Sequence, residues 1–125
     1  MRVPISYALH YPERADVEIP ALDLAATGSL TFEPPDLDTF RCLALARRAG
    51  IAGGSAPCVL NAADEVAVAA FLADELPFAG IADVIEGSLD ALGDEPIGHL
   101  AELFEVDARA REVAAGLVAA AGAPA

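Results

Sequence analysis

The chain has 125 residues, 55% of them hydrophobic, and carries 20 acidic against 7 basic residues, for a formal net charge of −13. This length predicts one modest core, and no apolar run reaches the roughly 18–20 residues that span a membrane. Every basic residue is arginine. The negative charge therefore argues against nucleic acid or a membrane surface as partner, and the missing lysine argues against phosphate-loop and Schiff-base chemistry.

Residues 15–38 are rich in proline, aspartate and strand-forming residues, unlike everything after them. The opening "MRVPISYALHYPER" begins without a polar lead-in, has a proline at position 4, and places aromatic and apolar residues at the very start. In "SLTFE", Leu30 and Phe32 alternate with Thr31 and Glu33, which predicts a strand that the two following prolines end. Because one strand cannot form a sheet, this part is expected to be the edge of a larger domain.

Four helices are predicted after residue 38, forming a small bundle of antiparallel helices. The first begins at Asp38 or Thr39 and ends near Gly50, the second begins near Asn61, the third covers 80–93, and the fourth begins at Asp107. "GIAGGSAP" is predicted to be a flexible connector, and "DEPIGHLAELFEV" a link with a short helical turn. The expected core faces are Phe40, Leu43 and Ala44; Val68, Phe71 and Leu72; Ile81, Val84, Ile85, Leu89 and Leu92; and Ala110, Val113, Ala114, Leu117 and Val118.

Two acidic motifs are candidate sites. In "NAADE", a metal or acid/base cluster is one interpretation, and the favoured one is a helix start with Asn61 and Asp64 as capping residues. In "DARAR", Asp107 is expected to cap the last helix. Since arginine is unfavourable near a positive helix end, Arg111 is expected to have a specific acidic partner rather than an anion ligand.

The other chemically active residues do not form a predicted site. His10 and His99 have no second ligand at metal-binding spacing. Cys42 and Cys58 are expected to be small apolar fillers rather than a disulfide or a reactive thiol, which suits a reducing cytosol. The glycines of "GIAGGS" lack the spacing of a dinucleotide-binding turn. The sequence therefore predicts no catalytic, metal or cofactor-binding residues in this chain.

Taken in order, "MRVPISYALHYPER", "SLTFEPPD", "LNAADEVAVAAFL", "IADVIE" and "VDARAREVA" resemble the closing portion of 1-deoxy-D-xylulose 5-phosphate reductoisomerase. The resemblance runs from Met1 to about Leu117. One departure is Asp64, where the family more often has asparagine. The resemblance implies a mostly helical fold: a short α/β remnant of the catalytic domain (helix, linker, one strand) over 1–37, then a C-terminal domain like a four-helix bundle over 38–125.

The resemblance also implies a function. The family uses NADPH and Mg²⁺ or Mn²⁺ to convert 1-deoxy-D-xylulose 5-phosphate to 2-C-methyl-D-erythritol 4-phosphate in non-mevalonate isoprenoid biosynthesis. It acts as a cytoplasmic homodimer. Its metal ligands, phosphate-binding turn and mobile loop match nothing in this chain. Met1 matches a methionine beside the family's active site, and Leu30 and Phe32 match the end of its sheet.

Two interpretations remain open. The first is a C-terminal scaffold segment that partners the rest of a reductoisomerase chain and is inactive by itself. The second is a stand-alone acidic helical module for protein contact, derived from the same bundle. The lone strand and its proline turn favour the first, because an independent module has no use for them.

Overall fold

The computed structural model describes residues 1–93 and 95–121, which form two compact units, Met1–Pro34 and Pro35–Ala125. The regular elements of these described ranges are all helical. They are α1 (Arg2–His10), α2 (Leu24–Thr27), α3 (Arg41–Ala52), α4 (Ala56–Leu72), α5 (Gly80–Leu92) and α6 (Leu100–Ala121). The mostly helical fold class is confirmed, and the four longer helices α3–α6 lie in the second unit.

The first unit contains α1 and the short α2. Tyr7 of α1 makes two contacts in this unit: the Tyr11 ring packs edge-on at 5.8 Å between ring centroids, and the Arg14 guanidinium lies 5.1 Å from the Tyr7 centroid. Asp23 caps α2 by accepting a 3.0 Å hydrogen bond from the backbone N–H of Ala26. Both helices lack a buried residue, so local contacts rather than a core hold this unit.

The strand predicted in "SLTFE" is wrong. Residues 29–33 carry no regular secondary structure, and Leu30 and Phe32 are 62% and 85% exposed. The physical reason is that a strand needs a neighbour for its backbone hydrogen bonds, and the described residues of this chain supply none. The sequence has the alternating pattern of a strand, but the described residues contain no sheet for that strand to join.

Helix α3 begins after a turn that Asp36 organises. The Asp36 carboxylate accepts hydrogen bonds from the backbone N–H groups of Asp38 (3.1 Å) and Thr39 (2.9 Å). Phe40 is the residue at the cap position, and no side chain caps the helix there, so the capping predicted for Asp38 or Thr39 is wrong. The helix also passes through Gly50 and stops at Gly53, which has a φ of 69°. Gly50 is therefore not the terminator; glycine ends a helix where the backbone turns left-handed.

The expected core face of α3 is also wrong. Phe40 and Leu43 are 59% and 41% exposed, whereas Leu45 and Ala49 are buried. Leu45 and Ala49 are four residues apart and so share one face of the helix. The larger apolar side chains lie on the other side, where they line a groove described below.

Helix α4 starts at Ala56, well before Asn61, because Ser55-Ala56-Pro57 provides the start. Proline suits the first turn, where its missing N–H would have no helical partner. Asn61 and Asp64 thus lie inside the helix, and their predicted capping roles are wrong. "GIAGGSAP" is correspondingly not a flexible connector, since only residues 53–55 separate α3 from α4.

Helix α5 agrees with the sequence-based prediction. It spans Gly80–Leu92, and the buried positions include Ile81, Val84, Ile85 and Leu89. Large aliphatic side chains at three- and four-residue spacing make this the clearest amphipathic pattern in the chain. Here the pattern alone was sufficient.

Helix α6 spans Leu100–Ala121, so the predicted short turn and last helix are one element. Its first turn is closed from both sides: His99 Nδ1 accepts a 3.1 Å hydrogen bond from Ala101 N–H, and the Glu102 carboxylate accepts a 2.9 Å bond from Gly98 N–H. This is the reciprocal logic of a capping box with histidine as the cap. Asp107 lies in the interior of α6, so its predicted capping role is wrong.

The core of the second unit is built largely from alanine. Helix α4 contributes its small face to α3, α5 and α6, all of which it contacts. The buried alanines are Ala49, Ala56, Ala62, Ala63, Ala67, Ala70, Ala82, Ala110 and Ala114. The predicted core positions Ala110 and Ala114 are among them, while Leu72, predicted on the α4 core face, is 75% exposed. Small side chains let helices pack closely, so volume rather than hydropathy selected the face of α4.

Candidate functional site

The residues singled out in "NAADE" and "DARAR" meet across α4 and α6. Arg111 Nε donates to Asp107 at 2.7 Å, and one terminal nitrogen of Arg111 donates to Glu65 at 2.7 Å. Glu65 also accepts a 3.1 Å hydrogen bond from the Asn61 amide. We call these four residues the Arg111 cluster. The expectation that Arg111 has a specific acidic partner is confirmed.

Electrostatics fix the charge state of the Arg111 cluster. Hydrogen bonds from Arg111 hold the pKa of Glu65 and of Asp107 below their usual values, and both carboxylates raise the pKa of Arg111. Both acids are therefore anionic and hydrogen-bonded to a guanidinium near neutral pH. A general acid or base needs a pKa near the working pH, so this cluster joins two helices rather than transferring protons.

Asp64 does not take part in the Arg111 cluster. It follows Ala63, is half-buried, and lies beside Glu65 in α4. Neighbouring helical residues point in directions about 100° apart, which separates the two carboxylates. The "NAADE" motif thus places one of its two acids at the α4–α6 contact.

A second polar junction joins the start of α4 to the end of α5 and the segment before α6. The fully buried Ser55 donates from Oγ to Leu92 O at 2.9 Å and accepts from Glu95 N–H at 3.0 Å. The Ser55 N–H donates in turn to Glu95 O at 2.9 Å. Arg109 of α6 donates to the Glu95 carboxylate from both terminal guanidinium nitrogens, at 2.6 and 3.1 Å. We call this set the Ser55 junction.

Sequence reasoning missed the Ser55 junction. "GGSAP" resembles a flexible loop by composition, yet every polar group of Ser55 is hydrogen-bonded and the pKa of Glu95 is lowered by the hydrogen bond from Arg109. The available signal was serine directly before Ala-Pro at a helix start. What no local pattern could show was the partner 40 residues away.

Helices α3 and α5 are joined by two further arginines. Arg41 donates to Asp83 at 2.6 Å and also to Glu86, and Arg48 donates to Asp90. The hydrogen bond with Asp83, followed by the charge of Glu86, raises the pKa of Arg41. These pairs orient the two helices, and they leave the Arg41 guanidinium already neutralised.

The cysteines differ in environment, and both are free. Cys58 is half-buried, and its Sγ lies 3.5 Å from Leu103 O. Burial, followed by the negative charge of Asp107, raises the pKa of the Cys58 thiol, which keeps it protonated and unreactive. Cys42 is exposed, so it is not the buried filler that the sequence predicts.

Met1 and the histidines complete the candidate residues. Met1 precedes α1 and is 92% exposed. His10 donates from Nδ1 to Ser6 O at 2.8 Å within α1, and His99 caps α6. Among the described residues, no group of three or more His, Cys, Asp or Glu side chains is arranged to hold a metal ion. No helix within those same residues is long and apolar enough to cross a membrane.

Helical cores built on alanine and joined by arginine pairs occur in many proteins, so comparison with known proteins decides the family. The family model described as the DXP reductoisomerase C-terminal domain matches residues 1–113. This chain belongs to that family. The resemblance noted from the sequence motifs is therefore confirmed.

Relatives in the DXP reductoisomerase family share about half of their matching residues with this chain. The 1-deoxy-D-xylulose 5-phosphate reductoisomerase of Ralstonia nicotianae is 52% identical over 120 residues, which cover 96% of this chain and 30% of that protein. The protein of the same name from Moorella thermoacetica is 50% identical over 119 residues, which cover 95% and 31%. The chain thus spans about 30% of the length of the curated relatives it matches.

Solved structures of the family agree in fold. The reductoisomerase from Zymomonas mobilis in complex with NADPH superposes with a TM-score of 0.83 at 37% identity, over 93% of this chain and 31% of that chain. A reductoisomerase in complex with NADPH, fosmidomycin and magnesium superposes with a TM-score of 0.77 at 39% identity, over 94% and 31%. The matched third of each structure therefore has the backbone arrangement found here.

Proposed function

We propose that this chain is the C-terminal segment of an NADPH- and divalent-metal-dependent reductoisomerase that converts 1-deoxy-D-xylulose 5-phosphate to 2-C-methyl-D-erythritol 4-phosphate. Its role is that of a scaffold that braces the catalytic part. The observation that carries the proposal is 52% identity to a reductoisomerase over 96% of the chain. Identity spread over 96% of the chain supports a shared role for its two sequence-based parts, which we propose to be residues 1–37, belonging with the catalytic domain, and residues 38–125, the helical domain.

The chemistry of the described residues supports the scaffold role. Each ionisable cluster is an arginine-carboxylate contact between helices or between a helix and the segment before α6. Donor sets for a metal do not occur in the described residues. We therefore assign NADPH and Mg²⁺ or Mn²⁺ to the part of the reductoisomerase that this chain does not match. When bound, NADPH supplies hydride and the metal polarises substrate oxygens.

Three further features belong to the proposal. The chain partners the rest of a reductoisomerase polypeptide, the assembly is a homodimer, and it works in the cytoplasm without nucleic acid or membrane. The net charge of −13 supports the absence of anionic partners, and the two free cysteines suit a reducing compartment. We also propose that Met1 lines the substrate site once the rest of the enzyme is present, which suits its 92% exposure here.

A chimera tests the proposed function. The part of the Ralstonia nicotianae reductoisomerase that precedes its match to Met1 is joined to this chain, and NADPH oxidation is followed with 1-deoxy-D-xylulose 5-phosphate and Mg²⁺. We expect turnover in the chimera and none in the same Ralstonia part without this chain. Equal rates for the two proteins would refute the scaffold role.

A Met1→Ala variant of the chimera tests the site-lining role separately. If Met1 contacts substrate, the variant raises KM or lowers kcat while the melting temperature stays unchanged, because an exposed side chain contributes little to folding. The matched control is Leu9→Ala, another exposed side chain of the same unit, which is expected to leave both kinetic constants unchanged. Unchanged kinetics in Met1→Ala would remove Met1 from the site.

A further inference from the structure

The second unit has an apolar groove at the start of α3. It has a volume of about 390 Å³ and lies between the first turn of α3, the loop before α5, and the first turn of α5. Its lining includes Phe40, Cys42, Leu43, Phe78, Ile81 and Ala82. We call it the Phe40 groove. Phe40 and Phe78 are 59% and 67% exposed, so two aromatic rings on one groove remain in water.

Two exposed phenylalanines on one concave surface are unusual for a surface that stays in solvent, since clustered apolar area indicates an interaction site. The rings are not loose. Phe78 packs edge-on against Phe71 at 5.8 Å between centroids, and Phe40 is the residue from which α3 begins. The groove is therefore already formed in this structure, with one of its two rings packed against a third.

The charge at the groove limits what fits it. Arg41 lines the groove but already pairs with Asp83 and Glu86. Asp38 also lines the groove and takes part in no ion pair among the described residues. The occupant is therefore apolar where it meets the two rings and carries a cationic side chain near Asp38.

A second copy of this chain is the competing occupant, and the labelling test below addresses it. The rest of the reductoisomerase polypeptide is the larger source of contacts, because the match covers only 30–31% of the length of two curated relatives and leaves more than twice as much outside it. Contacts between parts of one polypeptide bury roughly 600–1,500 Å², which a groove of this kind can anchor.

We propose that the Phe40 groove is the docking surface for an apolar segment, flanked by arginine or lysine, from the part of a reductoisomerase that this chain does not match. This inference rests on the proposed function and adds the place of contact. It assigns the bracing to one end of the bundle, at the starts of α3 and α5.

Cys42 provides a built-in reporter, because it is exposed and lines the groove. Its alkylation rate is measured with iodoacetamide by peptide mass spectrometry, in this chain alone and in the Ralstonia chimera. We expect Cys42 to react about tenfold or more slowly in the chimera, since labelling then requires the docked segment to open. Half-buried Cys58 is the internal control and is expected to react at the same slow rate in both proteins.

Two variants sharpen the test. In the chimera, Phe40→Ser is expected to restore Cys42 labelling toward the rate of the chain alone. Leu72→Ser, which changes an exposed apolar side chain outside the groove, is expected to leave it slow. Equal effects of the two substitutions would contradict the assignment of the groove.

The outcomes separate this inference from the proposed function. Turnover by the chimera reports the function, and protection of Cys42 reports the groove. An active chimera with unprotected Cys42 overturns the docking surface and leaves the function standing. An inactive chimera with protected Cys42 overturns the proposed function and leaves the docking surface standing. Protection in this chain alone that rises with its concentration would assign the groove to a second copy and overturn the inference.

Discussion

Gly54 lies where the backbone before α4 passes very close to the backbone of Glu95 in the Ser55 junction. Its φ is 53°, a left-handed conformation, and a Cβ placed there would lie 2.5 Å from Glu95 O. That oxygen accepts the Ser55 N–H, so it cannot move without losing a hydrogen bond. Both backbone conformation and space require glycine here.

Gly54→Ala is therefore predicted to destabilise the second unit by about 2–3 kcal/mol, through left-handed strain and the loss of a buried hydrogen bond. The matched control is Gly50→Ala in α3, where a Cβ meets nothing within 4 Å. This change should stabilise the fold by about 0.5–1 kcal/mol, since alanine favours helix. Urea unfolding midpoints of both variants check the pair, and a loss in Gly50→Ala as large as that in Gly54→Ala would contradict it.

Asp74 is the residue that ends α4. The φ of Asp74 is 61°. The Asp74 N–H donates to Phe71 O at 3.1 Å, and the Glu75 N–H donates to Ala70 O at 2.9 Å. Helices often end with a residue in this left-handed conformation, and that residue is usually glycine. Aspartate adopts the conformation less readily than glycine does.

Asp74→Gly is predicted to raise stability by about 0.5 kcal/mol, because glycine adopts this conformation without a Cβ contact. Asp74→Val should lower it by about 1–2 kcal/mol, since β-branched residues resist a positive φ. Thermal unfolding followed by circular dichroism distinguishes the two. A melting temperature that falls equally in both variants would show that the Asp74 carboxylate, not the backbone, is what counts.

At the scale of elements, α4 and α6 are joined by the Arg111 cluster. Arg111 reaches one acid on its own helix and one on α4. Because the side chain connects two elements, its removal affects their packing as well as a local pair.

Arg111→Gln is predicted to lower the unfolding midpoint of the second unit, because Glu65 and Asp107 lose their shared cation and repel each other. Arg47→Gln is the control, since Arg47 forms no ion pair among the described residues. It is expected to leave the midpoint unchanged. A double-mutant cycle with Glu65→Gln then measures the coupling, and a coupling of zero would contradict the contact.

Individual elements also show how far the sequence could predict this fold. Helix α5 was predictable because large aliphatic residues repeat at helical spacing. The buried face of α4 was not, because alanine satisfies either face and the partner helices decide which one is covered. The start of α6 was hidden because histidine is an uncommon cap, and its function depends on which ring nitrogen accepts.

The candidate site was partly predictable for the same reasons. An acidic partner for Arg111 was predicted because arginine is unfavourable near a helix start. The partner is present, although Arg111 lies in the interior of α6. Glu65 as the second partner could not follow, since 46 residues separate it from Arg111. The strand predicted over 29–33 was wrong because alternating apolar residues indicate which face of a strand is buried, but do not supply a second strand to pair with it.

At the scale of the whole molecule, stability depends on carboxylates paired with arginine. The folded-state pKa is lowered for Glu65, Glu95 and Asp107 by hydrogen bonds from arginine, and for Asp36 by the N–H of Thr39. A lowered pKa means that the unfolded state binds more protons in this range. The stabilisation is therefore fully present at pH values above the ordinary pKa of these carboxyl groups. It is lost as pH falls through their lowered folded-state pKa values.

The second unit is accordingly predicted to lose stability as pH falls below the ordinary values of 4.5 for glutamate and 3.8 for aspartate. Urea midpoints measured between pH 7 and acid should fall along this range. The double variant Arg109→Gln, Arg111→Gln should show a shallower decline, because its acids no longer have lowered pKa values. Parallel pH profiles for the variant and the parent chain would contradict this source of stability.

We propose that these residues form a helical brace, and that hydride, metal and sugar-phosphate chemistry belongs to the unmatched part of the reductoisomerase. The most direct measurement is NADPH oxidation by the purified 125-residue chain with 1-deoxy-D-xylulose 5-phosphate and Mg²⁺. We expect a rate equal to that of the protein-free blank. A rate that depends on both the chain and the metal would contradict it.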